Sequence, residues 1–280
     1  MNLQVLLDAT RQESEARQRQ EPLDRLKAKI RDLPPSRGFA ARIAERRFSL
    51  IAEVKAKSPS MGEMNPAGAE DIATVHRVYD QHPVVAAISV LTQETHFGGS
   101  PAALRRIRGE TRKPILRKDF IFSSYEVHYS RLIEADALLL MANVITDKAE
   151  FRDLHDLALQ LGMDVLCEVH EEAELELLPP TAKLVGVNAR SFASASRFRI
   201  ANLLSATGKD FTTDLAAFEI FGRLPAGCLK VAESGLNSKN IDQVLKQYGF
   251  NAALVGTSLL RGGLKHTAEE LDRFQQAISP

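Results

Sequence analysis

The chain has 280 residues, 44% hydrophobic and 26% charged, the balance of an ordinary folded domain with room for one large core. Lys plus Arg (36) equals Asp plus Glu (36), so bulk charge gives no reason to expect a nucleic-acid or membrane partner. No apolar run approaches the roughly 18 residues of a membrane span, MNLQVLLDA turns polar at once, and the only cysteines are Cys167 and Cys228, so a reducing cytoplasm is the expected compartment.

Residues 1–33 are polar, with Leu3, Leu6, Leu7 and then Leu23, Leu26 and Ile30 at helical spacing, until Pro34 and Pro35 stop the pattern. Short apolar runs follow: SLIAEVKA (49–56), VAAISVLT (85–92), PILRKDF (114–120) and ALLLMANV (137–144). DVLCEVH (164–170), LVGVNAR (184–190), LKVAESG (229–235) and AALVGTSL (252–259) complete the series. Helix-length segments separate them, DKAEFRDLHDLALQLG and SKNIDQVLKQYG being the most regular. Strands buried on both faces and joined by helical crossovers pair in parallel. No Gly-rich dinucleotide turn follows the first strand, which disfavours an open doubly wound sheet. The expectation is an α/β chain: a (β/α)8 TIM barrel over 48–280 with an N-terminal helical extension over 1–47.

In such a barrel the C-terminal ends of the strands form the active face. Five of the strands end on polar or charged residues there: Glu53 and Lys55, Lys118, Glu168, Asn188 and Arg190, Glu233 and Ser234. Alternation along a strand points Glu53 and Lys55 the same way, likewise Asn188 and Arg190, and puts Leu116, Lys118 and Phe120 on one face. One charge at a strand end is ordinarily a solvated edge group, and a structural ion pair is the alternative reading of Glu53 with Lys55. Convergence from five strands is the pattern of a site. Arg117 and Asp119 fall on the opposite face and read as structural, Cys167 as core, and His170 as a rim residue. Ser58, Gly235, Gly256 and Thr257 lie in turns after the first, seventh and eighth strands, where backbone N–H groups and hydroxyls can hold a phosphate. None of the seven histidines falls in an HxH or HExxH spacing, so no metal is expected.

IAEVKAKSPSMG, ISVLTQETHFGGS, PILRKDF, CEVH, VGVNAR, VAESGL and LVGTSLLR occur in this order over residues 48–262. Together they resemble indole-3-glycerol phosphate synthase of tryptophan biosynthesis, a barrel that uses no cofactor. The resemblance implies a lyase that closes, decarboxylates and dehydrates 1-(o-carboxyphenylamino)-1-deoxyribulose 5-phosphate. It implies Lys118 as the general acid for ring closure, with Lys55 as the other candidate or else as a group that holds the substrate carboxylate or acts in the later dehydration, and Glu168 as the proton-transfer group with Glu53 as a partner. Glu233 would orient a lysine or a sugar hydroxyl. Asn188 and Arg190 would hold the anthranilate carboxylate, and Phe120 with Leu140 would sandwich the ring. Ser234 is placed with the substrate-binding residues, and Ser58, Gly235, Gly256 and Thr257 with the phosphate. The partner implied is a small phosphorylated substrate, the protein acting as a monomer or in association with other enzymes of the pathway.

The chain departs from that family pattern in places. MGEMNPAGAED after the first strand and QHPVVAA before the second are unusual, and Ser191 and Phe192 follow Arg190 where Asp and Leu are the rule. A surplus around 192–211 reads as a lid, a partner surface, an altered ring pocket or a tolerated surface loop. Another phosphate-binding barrel enzyme, such as an isomerase or aldolase, would not require Lys55, Lys118, Glu168 and Arg190 together. A non-catalytic paralogue would be expected to lack some of these strand-end charges, and here all are present. A specialised indole pathway is the remaining variant of the main reading.

Overall fold

In the computed structural model, residues 3–58, 62–64, 69–192 and 211–279 are described. Eight strands form as expected: β1 (Ser49–Val54), β2 (Val85–Leu91), β3 (Ile115–Lys118), β4 (Ala137–Met141), β5 (Asp164–Val169), β6 (Leu184–Asn188), β7 (Leu229–Glu233) and β8 (Ala252–Val255). Each pairs in parallel with its neighbours in chain order, and β8 closes on β1 through Ser49↔Ala252 to Ala52↔Val255. The sheet is therefore a closed barrel, with no free edge.

Side-chain alternation divides each strand between two apolar layers. Ile51, Ala87, Leu116, Leu139, Leu166, Leu184, Val231 and Leu254 fill the barrel interior. Leu50, Ala52, Ile88, Ile115, Leu138, Leu140, Val165, Cys167, Val185 and Ala253 belong to the outer layer, packed under the helices. Those helices include α4 (Ala69–Gln81), α6 (Pro101–Glu110), α7 (Ser124–Leu132), α8 (Lys148–Gln160), α9 (Ile241–Tyr248) and α11 (Gly263–Ile278). Their starts are capped as their sequences require: Ser123 Oγ accepts from Glu126 N at 3.3 Å, and Asp147 Oδ1 from Glu150 N at 2.9 Å. Among the described residues, the helical segments after β5 and β6 are 3-10, Glu172–Leu177 and Leu215–Arg223.

The N-terminal residues form α1 (Leu3–Gln20), α2 (Leu23–Ile30) and α3 (Phe39–Ala44). Leu3, Leu6 and Leu7 of α1 are buried in the cluster that contains Phe120, Leu139 and Met141 at the C-terminal mouth. At the opposite end, Arg37 N and Ala40 N donate to Asp136 Oδ1 (2.7 Å) and Asp164 Oδ2 (2.8 Å), which lie just before and at the start of β4 and β5. The extension thus touches both ends of the barrel. Arg117 is fully buried on the outer side of β3, paired with Asp119 (2.9 Å) and Glu126 (2.6 Å) and donating to Ser130 Oγ at 3.0 Å. Removing one partner from such a buried pair would strand a charge, so this network is structural, as its outward phase predicts.

Candidate active site

At the mouth, the interior phase brings five charged side chains together. Lys118 Nζ lies 3.3 Å from Glu53 Oε2 and 3.4 Å from Glu233 Oε2, so the end of β3 meets the ends of β1 and β7 across the barrel. Glu53 Oε1 is 2.5 Å from Lys55 Nζ, which also donates to Thr257 Oγ1 at 3.3 Å. Glu168 lies at the end of β5 with His170 Nε2 3.2 Å from its Oε1, and His170 Nδ1 is 3.5 Å from Glu174 Oε2. Two glycines make space for these carboxylates. A Cβ at Gly186 would collide with Glu233 Oε1, and one at Gly256 with Glu53 Oε1. Any larger residue at either position would displace a charged group of the cluster.

Burial works against every charge here, and the neighbours decide the outcome. Burial alone would raise Glu53, but Lys55 and Lys118 outweigh it and hold the carboxyl at about 2. Burial would lower Lys118, but Glu53, Glu233 and Glu168 overcome it and raise the ammonium above its ordinary value. For Lys55 burial prevails: its value is lowered despite Glu53, and Lys118 and Arg190 push the same way. The two lysines are therefore tuned in opposite directions. Glu168 is held at about 2 against burial by His170 and Lys118, whereas Glu233 is pushed up to about 8 by burial and the facing Glu168 charge, which outweigh Lys118. Glu168 and Glu233 are linked, and one proton held on Glu233 relieves their repulsion. His170 is raised to about 10: burial lowers it, and Glu168 and Glu174 more than compensate.

Glu53, Lys55, Lys118 and Glu168 line a cavity of about 730 Å³, with Glu233 behind Lys118. Asn188, Arg190, Ser234, Gly235, Gly256 and Thr257 line it together with the charged cluster. Asn188 Oδ1 accepts from Arg190 N (3.0 Å) and Ser234 Oγ (2.8 Å), which joins the loops after β6 and β7. Ser234 and Gly235 both have positive φ, 71° and 75°. For serine this backbone conformation is strained, and such strain concentrates at functional sites. On the far side Phe97 and Phe120 form a tilted aromatic pair with centroids 6.3 Å apart, and Leu139 and Met141 complete an apolar wall. Among the described residues, no group of His, Cys, Asp and Glu side chains has metal-holding geometry.

The structure gathers Glu53, Lys55, Lys118, Phe120, Glu168, Asn188, Arg190, Glu233, Ser234, Gly235, Gly256 and Thr257 around one cavity. Leu140 is a correction. It belongs to the outer layer, and its neighbours Leu139 and Met141 face the cavity instead. The side chain of Ser58 and the segment 193–210 lie outside the described residues. His170, expected at the rim, lies beside Glu168 with its side chain only 8% exposed. Sequence reading also passed over Gln93, Lys239 and Arg261, which line the cavity from loops, and Phe97, which lines it from a short helix. The signal for Phe97 was present, since it is the aromatic residue in the connection that follows an active-face strand.

A family model described as indole-3-glycerol phosphate synthase matches residues 3–271. Curated relatives bearing that name include one from Magnetococcus marinus, 36% identical over 268 residues and covering 93% of each chain. One from Nocardioides sp. is 40% identical over 243 residues, 85% of each chain. Another, from Lachnospira eligens, is 38% identical over 226 residues, 80% of this chain and 79% of its own. Among solved structures, 3-hexulose-6-phosphate synthase from Salmonella typhimurium superposes with a TM-score of 0.58 at 14% identity, over 82% of this chain and 98% of its own. N-(5'-phosphoribosyl)anthranilate isomerase from Pyrococcus furiosus gives 0.54 at 14% identity, over 82% and 99%. At that identity the two structures speak to the barrel fold alone.

Proposed function

The chain belongs to the indole-3-glycerol phosphate synthase family, and from that premise we propose how its own residues close, decarboxylate and dehydrate the substrate. The ring carbon that bears the carboxylate attacks the C2′ carbonyl of 1-(o-carboxyphenylamino)-1-deoxyribulose 5-phosphate. Lys118 gives a proton to the carbonyl oxygen as charge develops there. Its carboxylate neighbours keep it cationic, so the acid is in the correct state before substrate arrives. Carbon dioxide leaves. Loss of the new hydroxyl as water and of a proton from the adjacent carbon then gives the aromatic indole of indole-3-glycerol phosphate.

Glu168, held ionised, takes that proton, and Lys55, the lysine made more acidic by burial, protonates the departing hydroxyl. Groups tuned apart by their surroundings divide acid from base work. Glu53 holds the two lysines in register, and Glu233 orients Lys118. Arg190 and Asn188 take the anthranilate carboxylate, for which a forked guanidinium is suited. Phe97, Phe120, Leu139 and Met141 wall the ring. Ser234, Gly235, Gly256 and Thr257, with Ser58, receive the sugar and phosphate through N–H and hydroxyl groups.

We take 48–280 as the catalytic barrel and 1–47 as its extension, acting in the cytoplasm as a monomer or beside other enzymes of tryptophan biosynthesis. No helix among the described residues is long and apolar enough to cross a membrane.

The observation that carries the reading is the Lys118 ammonium, bonded to carboxylates from β1 and β7 inside the cavity that also holds Glu168 and Arg190. The test is the rise of indole fluorescence when purified protein meets the carboxyphenylamino sugar phosphate. Appearance of indole-glycerol phosphate with one carbon dioxide per product is expected; no product would overturn the assignment.

A further inference from the structure

The short helix α5 (Glu94–Phe97) carries Phe97 into the cavity, where on the barrel side it meets Phe120. A second constraint comes from α1. Glu13 Oε1 accepts from Gln93 Nε2 (2.9 Å), Thr95 N (3.0 Å) and Thr95 Oγ1 (2.6 Å), and Glu13 Oε2 from Glu94 N (3.3 Å). One carboxylate thus takes four donors from three successive residues at the start of α5. Gln93 passes the constraint on. Fully buried, it gives its amide N–H to Glu13 while its Oε1 accepts from His96 N (2.8 Å) and Phe97 N (3.3 Å). Phe97 then packs on Phe120, two residues beyond Lys118 at the end of β3.

Glu13 is itself held in place. Its side chain is only 13% exposed, and one turn along, Arg17 Nη2 is bonded to the buried Glu126 at 3.1 Å, within the network that immobilises Arg117. Leu3, Leu6 and Leu7 anchor the same helix in the cluster against which Phe97 packs. A carboxylate is well matched to this task, because it accepts from several donors at once and its hydrogen bonds are charge-assisted.

We infer that Glu13 is a positioning residue for the reaction: through Gln93 and Thr95 it sets the Phe97 ring against the aromatic ring of the substrate. The inference rests on the proposed function, in which Phe97 walls the anthranilate. Because the ring is in contact both before and during the reaction, losing its position weakens binding uniformly and appears in KM rather than kcat.

The test is steady-state kinetics of Glu13→Ala, Phe97→Ala and the double variant, with Glu15→Ala on the exposed face of the same helix as control. Glu13→Ala is expected to raise KM by about fivefold or more with kcat changed less than about twofold, while Glu15→Ala stays at wild type. In the Phe97→Ala background the Glu13 substitution should add less than about twofold, since its effect runs through that ring. Competitive inhibition separates positioning from general loosening: anthranilate should bind more weakly to Glu13→Ala, and inorganic phosphate should bind as before. Should Glu13→Ala not fold, Thr95→Val removes the shortest of the four bonds and should reproduce a smaller rise in KM. Wild-type KM in Glu13→Ala or Thr95→Val beside a raised KM in Phe97→Ala would overturn this inference alone, as would equal losses of anthranilate and phosphate affinity. Wild-type KM in Phe97→Ala would overturn the ring-wall reading and the inference with it.

Discussion

Lys118→Met removes the central cation and leaves a side chain of similar length. At about 3.3 Å and an effective dielectric near 20, the Lys118–Glu53 contact amounts to about 5 kcal/mol of attraction before desolvation is subtracted, and Glu233, which holds a proton at neutral pH, adds less. Not all of that is lost from the fold. Glu53 keeps Lys55 at 2.5 Å, and Glu233, already shifted to about 8, meets the change by holding its proton more tightly. The net destabilisation expected is about 3–5 kcal/mol, the usual range for breaking a buried pair from one side. Catalysis falls further, because a general acid contributes about a hundredfold or more, or at least about 2.7 kcal/mol of barrier. Lys118→Arg separates the two roles: it restores the charge, and so most of the stability, but a guanidinium does not release a proton at neutral pH. The assay is kcat by indole fluorescence beside the thermal midpoint. Turnover of Lys118→Met within about tenfold of wild type, or full activity in Lys118→Arg, would refute Lys118 as the acid.

Arg190→Ala is expected to raise KM strongly with a smaller change in kcat, and an unchanged KM would remove Arg190 from the carboxylate site. Glu168→Gln keeps the shape of the cavity but loses the base, so kcat should fall about a hundredfold or more with substrate still bound, as product formation and equilibrium binding measured side by side would report. Glu233 has its folded value raised to about 8 from an ordinary value of about 4.3, so its contribution to stability is present below the lower value and is lost as pH rises toward the upper one. The thermal midpoint of Glu233→Gln minus that of wild type should therefore increase between about pH 5 and about pH 8.5, and parallel curves would contradict the shift. Leu139→Ala should raise KM; Leu140→Ala should cost about 2–5 kcal/mol of stability with KM unchanged, and the reverse outcome would return Leu140 to the ring pocket.

The barrel was legible because strands buried on both faces read as unbroken apolar runs, and eight of them alternate with crossover-length segments. The site was legible where a charge marked the inward phase: Glu53, Lys118, Glu168 and Glu233 each sit where an apolar residue would otherwise face the interior. β4 shows the limit. Ala137–Met141 is apolar at every position, nothing marks its phase, and the one-residue ambiguity exchanged Leu140 for Leu139 and Met141. His170 was underrated because its partner Glu174 lies beyond the strand, in a turn whose path alternation does not predict. Gln93, Lys239 and Arg261 enter from loops, where no period exists to follow, and α5, which carries Phe97, is only four residues long. The docking of α1 depends on contacts between residues about eighty positions apart, which local pattern cannot reveal.

The most direct measurement is a crystal structure with the substrate whose C2′ carbonyl has been reduced to the alcohol, a ligand that binds without reacting. The account predicts Lys118 Nζ within about 3 Å of the C2′ oxygen. It also predicts the anthranilate carboxylate on Arg190, the ring against Phe97 and Leu139, and the phosphate at the backbone of Gly235 and Gly256. A ligand seated with its C2′ oxygen away from both Lys118 and Lys55, or with its phosphate at another edge of the barrel, would contradict it.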